Sequence, residues 1–209
     1  MKKILLLGEI DVNCYFIEHN RKCYIVDPGY EKEKVIKYVE ENELEVLGIL
    51  LTHGHIDHIG AIDSFNVPIY LHEKEYDILQ ENYTYGFEYY GKVKPYVLED
   101  LDIRIIDENS QLAIDERLIE VIYTPGHTIG GLSFKFGHDL YTGDTLFKGT
   151  VGKWEYRTGD INTLGKTIIR LIDTLDEKTR VHPAHGPSST IGAEKNSNFF
   201  YLKWKNDQI

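Results

Sequence analysis

Cysteine is nearly absent. Two in 209 residues rule out a disulfide framework and a thiolate-rich structural zinc site. Cys14 and Cys23 fall in apolar segments joined by a short polar turn, and read as a buried reduced pair. Long apolar runs are missing too: nothing approaches the roughly 20 residues of a membrane-spanning helix. The opening Met1-Lys2-Lys3-Ile4-Leu5-Leu6-Leu7 starts like a secretory signal, but its apolar run closes at once with Gly8-Glu9-Ile10-Asp11. A soluble protein with no membrane partner and a cytoplasmic address by default is the expectation. Positive charge is in deficit, with 23 basic against 34 acidic residues and a net charge of -11, so the surface repels phosphate backbones and nucleic acid is not an expected partner. Repeats, low-complexity tracts and linker-like stretches are lacking as well. With 42% hydrophobic residues the chain fits one domain spanning residues 1–209.

Histidine and aspartate, by contrast, are concentrated. The hexapeptide His53-Gly54-His55-Ile56-Asp57-His58 follows the apolar run Leu44 to Leu51. Residues two apart share a side on extended backbone but lie about 200° apart on a helix, so His53 and His55 predict a strand end. Asp57 and His58 would diverge from that pair if a helix continued through Ile59-Gly60-Ala61-Ile62, giving two facing ligand sets. Imidazole and carboxylate donors of this kind suit zinc, manganese or iron(II).

Around this stretch Lys3 to Leu7, Asn13 to Glu18 and Lys22 to Val26 read as strands, the last two a hairpin through His19-Asn20-Arg21. Asp27-Pro28-Gly29 ends the third, where Asp27 either supports a site or caps a turn. Glu31 to Glu41 carries Val35, Ile36 and Val39 at helical spacing. The strand Glu45 to Leu51 is apolar on both faces and delivers the hexapeptide at its C-terminal end, where α/β sheets place ligands. Val67 to Leu71 is another strand, and His72 opens the helix after it as a terminus residue. Tyr83 to Tyr96, which includes Tyr89 and Tyr90, has no clear period and reads as a loop, either a substrate wall, a subunit contact or local packing against the core. Ile103 to Ile106, Gln111 to Ile114, Leu118 to Tyr123, Leu132 to Phe136 and Asp139 to Thr142 predict a second sheet, Ile161 to Leu175 a second covering helix, and Arg180 to His182 a last strand.

His127, Asp144 and His185 also follow apolar strands, in Pro125-Gly126-His127-Thr128, Thr142-Gly143-Asp144-Thr145 and His185-Gly186-Pro187. With His53, His55, Asp57 and His58 they suffice for two metals, one carboxylate bridging ions about 3.5–4 Å apart. These motifs, in this order, resemble the signature of the metallo-β-lactamase fold superfamily over essentially the whole chain. The resemblance implies an αββα four-layer sandwich of the α/β class. It implies one metal on His53, His55 and His127, a second on Asp57, His58 and His185, and Asp144 as the bridge.

Gly143-Asp144-Thr145-Leu146-Phe147 and the segment Ser189 to Asn198 resemble the glyoxalase II branch, the hydroxyacylglutathione hydrolases and their short bacterial relatives. The resemblance implies two divalent ions, zinc first with iron or manganese as alternatives, and a small-molecule thioester substrate such as S-lactoylglutathione. Asp57 and Asp144 would then be catalytic as well as ligating. Lys153 resembles a glutathione-contacting lysine, whereas Glu155 stands where a tyrosine contact is expected, so weak glutathione binding is the expectation. A persulfide dioxygenase of the same fold, with one iron on His53 or His55, His127 and Asp144, is the alternative, and the full second ligand set argues for the hydrolase.

Overall fold

The computed structural model describes residues 2–6, 11–86 and 98–207. Its first sheet runs β1 (Lys2–Leu6), β2 (Val12–His19), β3 (Lys22–Val26), β4 (Glu45–Leu50), β5 (Ile69–Leu71), β6 (Ile103–Ile105) in spatial as in chain order. The β1–β2 and β2–β3 pairs are antiparallel and the remainder parallel. Asn20 and Arg21 close the β2–β3 hairpin with φ of 50° and 60°, the paired positive values of a turn whose twist matches its strands. The second sheet has the order β14-β13-β10-β9-β8-β7, with β7 (Leu112–Ile114), β8 (Arg117–Tyr123), β9 (Leu132–Phe136), β10 (Asp139–Gly143), β13 (Arg180–Pro183) and β14 (Ser189–Thr190). A small ribbon pairs β11 (Leu146–Phe147) with β12 (Thr150–Val151).

Strand alternation sorts the side chains into separate cores. Cys14, Phe16, Cys23, Ile25, Ile49 and Leu51 face outward onto Val35 and Val39 of helix α1 (Lys32–Glu41). Their neighbours Tyr15, Ile17, Tyr24, Val26 and Leu50 face inward, against Ile119, Val121 and Phe134 of the second sheet. Behind that sheet Ile122, Leu140 and Val181 pack on helix α3 (Ile161–Thr174), through Leu164, Ile168, Leu171 and Ile172. Burying each such side chain contributes about 1.5–3 kcal/mol, so this stripe fixes the helix more firmly than its Asp160 cap does. Three cores between four layers make the αββα sandwich. The short helix α2 (Tyr76–Glu81) lies beside the site, and α4 (Ile191–Ser197) and α5 (Phe199–Asp207) complete the outer layer. No helix among the described residues is long and apolar enough to cross a membrane.

Two expectations are corrected. Ile103–Ile105 pairs with β5 and so belongs to the first sheet, since a three-residue strand is assigned by its neighbour and not by its own pattern. Residues after His58 do not form an α-helix: His58, Ile59 and Ile62 each bond the carbonyl three residues earlier, giving linked turns. Tyr83 is buried in a π-helical turn over Asn82–Gly86, while Tyr89 and Tyr90 lie outside the described residues. Cys14 and Cys23 are buried free thiols, and burial pushes both up in pKa.

Candidate metal centre

Every candidate ligand sits just past the C-terminal end of a strand, at one edge of the sandwich. The segment after β4 carries His53, His55, Asp57 and His58, the one after β8 carries His127, β10 leads into Asp144, and β13 into His185. Backbone bonds tie these loops together: Leu132 N–H donates to the Thr52 carbonyl (2.8 Å) and Asn13 to Ala184 (2.7 Å) across the two sheets, and Ala184 to Gly143 (3.0 Å) within the second. Gly143 has φ 51°, and a Cβ there would collide with the Thr52 side chain, so glycine is what lets the Asp144 loop close onto the hexapeptide.

Two clusters result. His53 Nε2, His55 Nδ1 and His127 Nε2 stand 3.0, 3.2 and 3.0 Å apart pairwise. Beside them His185 Nε2 is 3.2 Å from Asp57 Oδ2 and 3.3 Å from Asp144 Oδ1, and His58 Nε2 is 3.5 Å from each of the same two oxygens. Asp144 joins the clusters, because its other oxygen, Oδ2, lies 3.6 Å from His127 Nε2. All seven predicted residues are therefore brought together.

Outer partners aim the rings. Asp27 accepts from the Thr52 amide (2.9 Å), from its hydroxyl (2.7 Å) and from His58 Nδ1 (2.9 Å). That resolves the two readings of Asp27 in favour of support for the site. The Thr52 oxygen is left to accept from His53 Nδ1 (3.1 Å). His127 Nδ1 donates to the Lys153 carbonyl (2.6 Å) and His185 Nδ1 to the Asp11 carbonyl (2.7 Å). In a neutral ring each of these Nε2 atoms turns its lone pair inward, the arrangement that outer partners impose on metal-binding histidines.

The clusters differ in proton affinity. Burial and the neighbouring imidazoles hold His53 well below its ordinary value and lower His55 to about 4, and burial lowers His127. Burial also opposes charge on His58, but Asp57, Asp27 and Asp144 overcome it and push that ring up to about 9. On His185, Asp144 and Asp57 likewise overcome burial, to about 11. Asp57 and Asp144 are in turn held below the carboxylate range, burial being outweighed by these rings.

The donor set fits divalent cations. Nitrogens about 3 Å apart are near the spacing that a tetrahedral ion with metal–nitrogen distances of about 2.0–2.1 Å imposes on its ligands. His58 Nε2 and Asp144 Oδ1 are buried with ion-pair contacts at 3.3–3.5 Å but no well-formed hydrogen bond, a shortfall that a bound cation would make good.

Other contributors had no sequence signal. Glu75, fully buried, accepts from the Gly54 amide (2.9 Å) and the Gly130 amide (2.7 Å), fastening the hexapeptide to the His127 loop. Over the centre opens a cleft of about 340 Å³ that reaches His55 and Asp57 and is walled by Ile56, Ile78, Tyr156 and Arg157. The Tyr156 ring stands edge-on to His55 (4.9 Å between centroids) and His127 (5.4 Å). Lys153 meets the centre through its carbonyl, while its side chain is exposed and is not part of that wall.

The chain is similar to known proteins along nearly its whole length. YqgX of Bacillus subtilis, described as a probable metallo-hydrolase, is 34% identical over 200 residues, covering 93% of this chain and 94% of its own. Hydroxyacylglutathione hydrolase GloC of Haemophilus influenzae is 33% identical over 211 residues, covering 95% of this chain and 96% of its own. The crystal structure of TTHA1623 in a di-iron-bound form superposes with a TM-score of 0.83 at 32% identity, over 96% of this chain and 100% of that one. The family model matches residues 7–185. With those residues spanning every candidate ligand, the chain belongs to the metallo-beta-lactamase superfamily.

Proposed function

We propose that the protein is a dinuclear metal-dependent hydrolase of a thioester, with S-lactoylglutathione the first substrate to test. The observation that carries this reading is Asp144, whose two oxygens face different clusters. His53, His55 and His127 would hold one ion, Asp57, His58 and His185 the other, and Asp144 both. Two divalent ions, zinc first and iron or manganese next, would supply hydroxide near neutral pH by lowering the pKa of water from about 16 to about 7, and would polarise the acyl carbonyl. The chain's share is placement. Asp27, Thr52 and the Lys153 and Asp11 carbonyls fix the rings, Asp57 and Asp144 hold the charge of the centre, and Tyr156 with Ile56 and Ile78 shields one side of the cleft from water. No serine or cysteine lines the cleft among the described residues, which supports attack by water without an acyl-enzyme.

The likeness to GloC supports the thioester reading, and the complete second cluster favours a hydrolase over the mononuclear iron dioxygenase. The test is steady-state hydrolysis of S-lactoylglutathione by metal-replete protein, with oxygen uptake on glutathione persulfide followed in parallel. Thioester hydrolysis abolished by a chelator and restored by metal is the expected result. Oxygen uptake without hydrolysis would transfer the assignment to the dioxygenase.

A further inference from the structure

The wall of the cleft contains three charged side chains, Asp57, Glu81 and Arg157. Asp57 is committed to the centre through its oxygen on His185 and His58. Glu81, the last residue of α2, and Arg157, on the loop beyond β12, face each other from opposite walls with Arg157 Nη2 3.0 Å from Glu81 Oε2. Their side chains are 58% and 70% exposed, so water screens the pair and it contributes little to holding the walls together. The guanidinium is a rigid fork of donors suited to a carboxylate or phosphate. Without it the described residues lining the cleft would present only carboxylate charge, on a chain of net charge -11, to an incoming anion.

Resting on the hydrolase reading above, we propose that Arg157 reads an anionic group on the carrier part of the substrate, and that Glu81 is the internal anion which that group displaces. The substrate class is then an acyl thioester whose thiol carrier bears a carboxylate or phosphate. The two residues act with opposite sign: Arg157 draws the anion in, and Glu81 competes with it for the same guanidinium.

The experiment compares one acyl group on three carriers: glutathione, which offers carboxylates, coenzyme A, which offers phosphates, and N-acetylcysteamine, which is uncharged. Arg157→Gln is expected to raise KM for one or both anionic carriers about five- to tenfold, with kcat within twofold and the uncharged thioester unaffected. Glu81→Gln is expected to lower the same KM two- to threefold. The carrier that responds separates carboxylate from phosphate recognition. A parallel binding titration of metal-loaded protein uses S-methylglutathione, S-methyl-coenzyme A and the S-methyl thioether of N-acetylcysteamine. It reads the same differences even if no thioester is hydrolysed, so failure of the reaction assignment and failure of this inference are distinguishable. Equal changes on charged and uncharged carriers, both variants moving affinity in one direction, or no binding of any thioether would overturn the proposal.

Discussion

The two halves of the centre are built from similar residues and hold their protons in opposite ways. In the His53, His55 and His127 half, burial and mutual repulsion keep the rings neutral, so their lone pairs are available as folded. In the Asp57, His58 and His185 half, carboxylates raise both imidazoles, to about 9 and about 11, so without a cation the rings supply the positive charge themselves. One half is prepared for an ion by desolvation, the other by a salt-bridge network that an ion must replace. Asp144 belongs to both, which makes it the point where the comparison is most easily broken.

The largest effect is therefore expected from Asp144→Ala, which should cut kcat/KM by at least about a thousandfold and weaken metal at both halves, since removing a bridging ligand uncouples both ions. Asp57→Ala should reach a similar loss of activity while chiefly emptying its own half. Metal content measured with activity on the same samples separates the two, and equal loss of both ions in Asp57→Ala would erase the distinction.

Next in size is pH. A ring whose pKa is raised holds its proton below that value, so a cation at His58 and His185 must displace protons throughout the neutral range, and affinity there falls as pH falls. Lowered rings hold no proton at neutral pH, so affinity at the other half changes little across the neutral range. Zinc titration by calorimetry between pH 6 and 9 should show one strong step that is nearly constant and a weaker step strengthening by about one to two decades per unit of rising pH. Parallel slopes for both steps would contradict the comparison.

A smaller effect is expected from Asp27→Asn. Its carboxylate touches His58 of the second half directly and reaches His53 of the first only through the Thr52 hydroxyl. Losing it should weaken the second ion about 10–100-fold, the usual cost of removing an outer partner, and the first by much less. Calorimetry on the variant reads both steps.

What could be read from the sequence follows the range of the contacts. The hexapeptide was legible because four ligands occupy six consecutive positions after an apolar strand, and the layers because alternate residues of β2, β3 and β4 point into different cores. Asp27 was ambiguous because its partner His58 lies 31 residues away, and Glu75 carried no signal because its bond to Gly130 spans 55. Arg157 was missed for a similar reason: nothing local ties it to Glu81, 76 positions earlier in the chain. The residues after His58 drew a helical reading that the structure corrects, because their bonds reach three residues back and periodicity does not separate such turns from an α-helix. Lys153 stood out by resemblance, yet its carbonyl is the part that touches a ligand.

Elemental analysis of metal-replete wild type beside His185→Ala bears most directly on the shared centre. His185 touches both carboxylates of the second half and none of the first three imidazoles in hydrogen-bonding range. About two ions per chain in the wild type and about one in the variant, with the remaining ion bound as tightly as before, is the predicted result. One ion in the wild type, unchanged by the substitution, would contradict the account.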